Sequence, residues 1–166
     1  MARCSCGAPR DSSSCWGSRA GPVVDADPTI DDWYANVLTI ERRKCLLMVH
    51  ADTLFAVLDS DVRVAQLDDL GLYVATLVVD GLASEGLAGT VLGPTDPSSV
   101  RVANTASRSV LGHLNEMAFE VEHLVASSGG LRLTDVDDVN RRLRRHLRGR
   151  DGDYVVPLEL AAARSI

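Results

Sequence analysis

The sequence predicts an α+β fold, a small antiparallel sheet with about three helices packed on one face. Two observations carry this. Three short apolar runs of strand length follow one another within residues 35–58. Three longer segments after residue 66 repeat their apolar residues at three- and four-residue spacing. Composition agrees: 166 residues, 46% hydrophobic and 24% charged, suit one domain with a core of its own.

Residues 1–29 are rich in Ser, Gly, Pro, Arg and Cys and keep neither period. They are expected to be a disordered or poorly ordered leader to a single α+β domain over 30–166. Cys4, Cys6 and Cys15 have the wrong spacing for a zinc ribbon and no fourth ligand nearby, so no metal and no cofactor are expected. A permissible codon choice for Ser12–Gly17, read in another frame, encodes a run of Leu and Glu. Residues 1–29 are thus either a genuine leader or an out-of-frame reading of an ancestral first segment.

Ala35–Ile40 and Cys45–His50 are the first two apolar runs, separated by Glu41, Arg42, Arg43 and Lys44. This reads as strand, charged connection and strand, either a hairpin or one bent strand. Leu54–Leu58 is a third strand after a turn at Ala51-Asp52, which makes a meander. Leu67, Leu70, Val74, Leu77, Val78 and Leu82 then mark a buried helix over 67–84. Asp68 and Asp69 stand at its start, where the helix dipole favours acids. Residues 93–98 form a loop, and Val100–Ala103 a fourth strand. Ser107–Ala126 is a second amphipathic helix, ended by Ser128-Gly129-Gly130. Thr134 can cap a third helix that runs to about Leu147, with Val136, Val139, Leu143 and Leu147 as its stripe. A short strand is expected at Tyr154–Val156.

A net charge of −6 argues against a surface built throughout to grip phosphate backbones. No apolar run reaches the roughly 18 residues of a membrane span, so no membrane partner is expected. Four cysteines, none after Cys45, suit a reducing cytoplasm better than a disulfide framework. The Ala, Val, Gly and Arg bias suggests a bacterial source. Phosphate-loop, dinucleotide, zinc-peptidase and nucleophile-elbow motifs are missing.

Four polar groups remain as candidates. Trp33 and Asn36 open the first strand and either seal the core or form a ligand platform. Arg42, Arg43 and Lys44 (the single lysine) are either a solvated hairpin tip or an anion clamp. Arg108, Asn115 and Glu116 fall near one another on the second helix, and Gly112 between them suggests a close approach by backbone or ligand. Arg141, Arg142, Arg144, Arg145 and Arg148 give the third helix a basic face. That face leaves nucleic acid open as a partner, although Asp137–Arg141 and Asp138–Arg142 are also ready-made ion pairs.

Trp33-x-Ala35-Asn36, Arg42-Arg43-Lys44, Thr53 and Arg108-Ser109-Val110-Leu111-Gly112-x-x-Asn115-Glu116, in this order, resemble a bacterial family catalogued as domain of unknown function 6933. The resemblance spans about residues 30–126 and implies no activity. His50 stands where the resemblance leads one to expect Asn, and the Ser- and Cys-rich leader replaces a Leu-rich opening.

The function expected is a non-enzymatic binding or interaction module for an anionic ligand or partner. The alternative is an enzyme of unassigned class acting on a phosphate-containing substrate, with Glu116 or Glu41 as base and Lys44 and Arg108 stabilising charge. Trp33 and Asn36 are expected to meet Asn115 in one pocket, and the Arg42–Lys44 triplet to approach Arg108. A hairpin would hold its tip about 20 Å from Trp33, so one site cannot easily take both.

Overall fold

A computed structural model describes the backbone of residues 2–4 and residues 23–150 and 152–165 in full. Its frame is the meander of β2 (Trp33–Ile40), β3 (Arg43–His50) and β4 (Ala56–Asp59). Ile40 pairs with Arg43, so the connection shrinks to Glu41 and Arg42. Both residues have positive φ, 49° and 66°. This is the backbone of a type I′ hairpin, whose twist matches that of the strands it joins. The four charged residues therefore divide into two turn residues and two strand residues. At the far end, His50 N–H bonds to Phe55 O at 3.0 Å, and Leu54 takes a φ of 58° to reverse the chain.

Two parallel strands extend the meander into a five-stranded mixed sheet, ordered β4-β3-β2-β1-β5. β1 (Ala2–Cys4) lies between β2 and β5 (Val102–Asn104), with Ala2 in register with Trp33 on one side and Val102 on the other. Val24 bridges to Ala103 beyond it. Ala2–Cys4 and Val24 belong to the stretch read as a leader yet pair with the sheet, and three residues of strand are too few to show a period of two. The rest of that expectation, over residues 5–22, lies outside the described residues, as do the side chains of Cys4, Cys6 and Cys15.

All of Cys45–His50 is buried, because both sheet faces are covered. Cys45, Leu47 and Val49 join one core, beneath α2 (Arg108–Ser127) and α3 (Val136–Arg145). Leu46 and Met48 join the other, beneath α1 (Leu70–Ala83). The fold is α+β, but its helices lie on both faces and not on one. A continuous apolar run is the pattern of a strand buried on both sides. A fourth helix, α4 (Pro157–Ala163), follows a ribbon of β6 (Arg148–Arg150) and β7 (Asp153–Val155) and adds Ala161 to the second core.

α1, α2 and α3 start where side chains cap them. The Asp69 carboxylate accepts from Leu72 N–H at 3.0 Å, Ser107 Oγ from Val110 N–H at 3.3 Å and the Asp135 carboxylate from Asp138 N–H at 3.1 Å. Thr134, the expected cap of α3, instead donates to Gly130 O at 2.9 Å. α3 ends at Arg145, so Leu147 leaves the stripe and is exposed.

Candidate binding sites

Strand alternation separates the predicted site residues. Trp33 packs with Ala35, Leu46 and Met48 on the α1 face, edge-on to the His50 ring at 5.2 Å. Asn36, an odd step away, lies half-buried on the face of Tyr34 and Leu38, which α2 covers. Asn115 and Glu116 are exposed on the outer side of α2. The pocket expected from Trp33, Asn36 and Asn115 therefore does not form: the sheet stands between Trp33 and α2, and Asn115 faces solvent. Gly112 is exposed, and a Cβ there would meet nothing among the described residues within 4 Å, so no close approach requires it. Glu116 reaches His113 Nδ1 at 3.5 Å.

The Arg42–Lys44 triplet lies far from Arg108. The Tyr34 hydroxyl accepts from Ser107 N–H at 3.1 Å, which fixes the start of α2 at the entrance of β2. The end of α2 reaches the hairpin, where the Glu41 carboxylate accepts from Leu131 N–H at 3.1 Å. Arg108 and the hairpin are thus separated by most of a 20-residue helix, close to 30 Å at about 1.5 Å per residue. Gly130 makes the Glu41 contact possible. Its φ is 115°, and a Cβ would sit 2.6 Å from Glu41 Oε1.

At this hairpin end the sequence reading missed Arg132, one residue beyond the Glu41 contact. Arg42 and Arg132 are exposed and carry no ion pair or hydrogen bond among the described residues. Arg43 pairs only at 3.8 Å with Asp61, which also holds Arg63 at 2.9 Å. Lys44, on the opposite face, donates to Thr39 Oγ1 at 2.8 Å. The one acid within the turn, Glu41, is committed to backbone.

The basic face of α3 is also divided. Arg144 is buried, and so is Arg148, which lies beyond the helix on β6 and not on its basic face as expected. Arg142 pairs with Asp138 at 2.7 Å, and Arg141 with Asp138 and Asp135 at 3.5 and 3.9 Å, in place of the expected Asp137. Arg144 has structural partners: Nε donates to Ala56 O at 2.9 Å, and Nη1 to Ser84 Oγ and Glu85 Oε1 at 2.8 and 3.1 Å. Its guanidinium lies 4.6 Å above the Phe55 ring. Arg145 closes on Glu85 Oε2 at 2.6 Å. Burial alone would raise the Glu85 carboxyl, but hydrogen bonds from Arg145 and Arg144 outweigh it and hold it below the usual range.

Asn140 completes this edge of the sheet. Its Oδ1 accepts from Leu58 N–H at 2.7 Å, and its Nδ2 donates to Leu58 O at 3.0 Å. With Arg144 on Ala56 O, side chains of α3 occupy the outward groups of β4 where a further strand would bind. The signal was legible: Asn140 and Arg144 are four residues apart, beside the Val136, Val139, Leu143 stripe.

The opposite end of the sheet is closed by charge. Arg164 reaches Asp31 at 2.5 Å and Asp52 at 3.2 Å, and Arg150 reaches Asp52 at 3.1 Å. Beneath them His50 is fully buried. Its Nδ1 accepts from Thr53 N–H at 3.2 Å, while Nε2 has no partner among the described residues. Burial, with Arg164 adding to it, lowers the His50 pKa to about 4.

These features define the class: an α+β domain of a meander sheet widened by two parallel strands, with helices on both faces. The chain belongs to the family described as domain of unknown function 6933, whose model matches residues 17–160. No curated protein and no solved structure matches it. Among the described residues, no helix is long and apolar enough to cross a membrane.

Proposed function

We propose that the chain is a non-enzymatic interaction module of the bacterial cytoplasm, and that its anionic partner docks at the hairpin end through Arg42, Arg43 and Arg132. The observation that supports this most directly is the pairing imbalance there. Arg42 and Arg132 have no ion pair among the described residues, Arg43 holds Asp61 only at 3.8 Å, and Glu41 is spent on Leu131 N–H. Guanidinium forks suit carboxylates and phosphates alike. The chain as a whole carries −6, so this end offers an anion a local exception to a repelling surface.

The enzymatic alternative loses its constellation. Glu41 caps a backbone turn, Glu116 is exposed beside His113, and Arg108 and Lys44 sit at opposite ends of the domain. A catalytic reading needs such groups within hydrogen-bond reach of one reacting atom. The test is titration of the labelled protein with hexaglutamate and with inorganic polyphosphate, read by amide chemical shifts. The expected shifts lie at 41–44 and 130–133 and weaken severalfold between about 50 and 300 mM salt. Shifts absent from this end with both probes would remove the reading.

A further inference from the structure

A second site lies at the edge of the sheet, remote from the hairpin and independent of its role. A cavity of about 240 Å³ opens between β4, α1 and α3. This is below the roughly 300–1,000 Å³ of pockets for drug-sized molecules, so its occupant is small. Its inner side carries an unused donor. Arg144, only 3% exposed, commits Nε and Nη1, but Nη2 makes no hydrogen bond among the described residues. Nη2 lies beside Gly81, 3.2 Å from where a Cβ would stand, and both residues line the cavity. A Cβ there would crowd Val57 Cγ2 at 2.9 Å as well as this nitrogen, so the mid-helix glycine makes room for both side chains.

The mouth has the opposite chemistry. Asp80 and Asp137 line it, are exposed, and carry no hydrogen bond or ion pair among the described residues. Val57, Leu58 and Leu77 supply an apolar wall between them. Arg141 at the rim stays loosely held, 3.5 Å or more from its acids. Donors within, carboxylates outside and an apolar wall between form a dipolar site. A simple anion would meet Asp80 and Asp137, and a simple cation would meet two guanidinium groups.

We propose that this cavity binds a small zwitterion of the free amino-acid class. The carboxylate accepts from Arg144 Nη2, helped by Arg141, and the ammonium is held between Asp80 and Asp137. An aliphatic side chain rests on Val57, Leu58 and Leu77. Glu85 neutralises Arg144 from the other side, so Nη2 contributes a charge-assisted hydrogen bond without an uncompensated buried charge.

The experiment is calorimetry and amide shift mapping of the full chain with L-leucine, L-leucine methyl ester and N-acetyl-L-leucine. L-leucine is expected to bind with a Kd of about 1 mM or tighter and to shift residues 77–84 and 137–144. The ester, which lacks the carboxylate, and the acetylated form, which lacks the ammonium, are each expected to bind at least about tenfold more weakly. The double variant Asp80→Asn/Asp137→Asn changes only exposed side chains. It should stay folded, with a melting temperature lower by no more than about 4 °C for the acid lost from the first turn of α3, and lose about tenfold in L-leucine affinity. No cavity shifts with L-leucine at about 20 mM, equal binding of either blocked form, or unchanged affinity in the folded double variant would each overturn the proposal. Hexaglutamate binding at the hairpin should be indifferent to this double variant, which keeps the two sites' tests apart.

Discussion

Replacing Asn140 with Ala tests how the sheet edge is sealed. The side chain makes two buried hydrogen bonds to one residue, from Leu58 N–H at 2.7 Å and to Leu58 O at 3.0 Å. Removing it orphans a donor and an acceptor, each costing about 1–3 kcal/mol when left unsatisfied in the interior. The neighbouring cavity admits water, which brings the expected loss to the lower end, about 2–3 kcal/mol. For a chain of this length that corresponds to a melting temperature lower by about 4–12 °C. Urea unfolding gives the free energy directly. Asn140→Asp sharpens the test. The carboxylate keeps an acceptor for Leu58 N–H but sets an oxygen against Leu58 O. Only the protonated acid restores both bonds, so the folded state raises the pKa of the new carboxyl above its unfolded value of about 3.9. The folded state then binds more protons than the unfolded state, and stability falls as pH rises through the folded pKa. The deficit of Asn140→Asp against wild type should therefore shrink as pH is lowered from about 7 to 5. An Asn140→Ala variant within about 0.5 kcal/mol of wild type, or a pH-independent deficit for Asn140→Asp, would refute the edge-sealing argument.

Burial of neutral His50, with a pKa of about 4, means the unfolded state binds a proton first as pH falls. Wild type should lose on the order of 2–3 kcal/mol from this group between pH 7 and 4.5, and His50→Asn should show a flatter profile by that amount. Cys45 is fully buried, and burial pushes its thiol up to about 11 with Asp59 and Asp61 adding to it. Peptide-level mass spectrometry should find Cys45 unalkylated in the native protein at pH 8 and alkylated in urea. Rapid native labelling would contradict the packing described. Glu41→Ala removes the tie between the hairpin and Leu131 N–H. It should cost about 1 kcal/mol of stability in urea unfolding, and no change would show the tie to be idle.

The meander and three of the helices were legible because each is written as a period. Cys45–His50 carries the continuous apolar run of a strand buried on both faces, which the one-face expectation passed over, and a run that short does not say which helices will cover it. The fourth helix and β6 are too brief to show a period, and β1 is three residues of backbone pairing. The site fared differently. Trp33 and Asn36 were grouped by nearness in sequence, although three residues along a strand place them on opposite faces. Arg42, Arg43 and Lys44 were found as a cluster, and the hairpin was recognised. Arg132 was invisible because only the Glu41–Leu131 contact, 90 residues apart, brings it to the same end. Arg144 looked like one of five surface arginines, and its position beside Asn140 on the buried side of α3 was the overlooked clue.

The account rests most on the hairpin end, and one measurement tests it directly. The affinity of hexaglutamate, and separately of inorganic polyphosphate, is compared between wild type and Arg42→Glu/Arg132→Glu in low salt. Both side chains are exposed and unpaired among the described residues, so the double variant should fold with wild-type stability. The account requires its affinity to fall by at least about tenfold for whichever anion wild type binds, with the shifts at 41–44 and 130–133 gone. Equal affinity in the folded variant would contradict it.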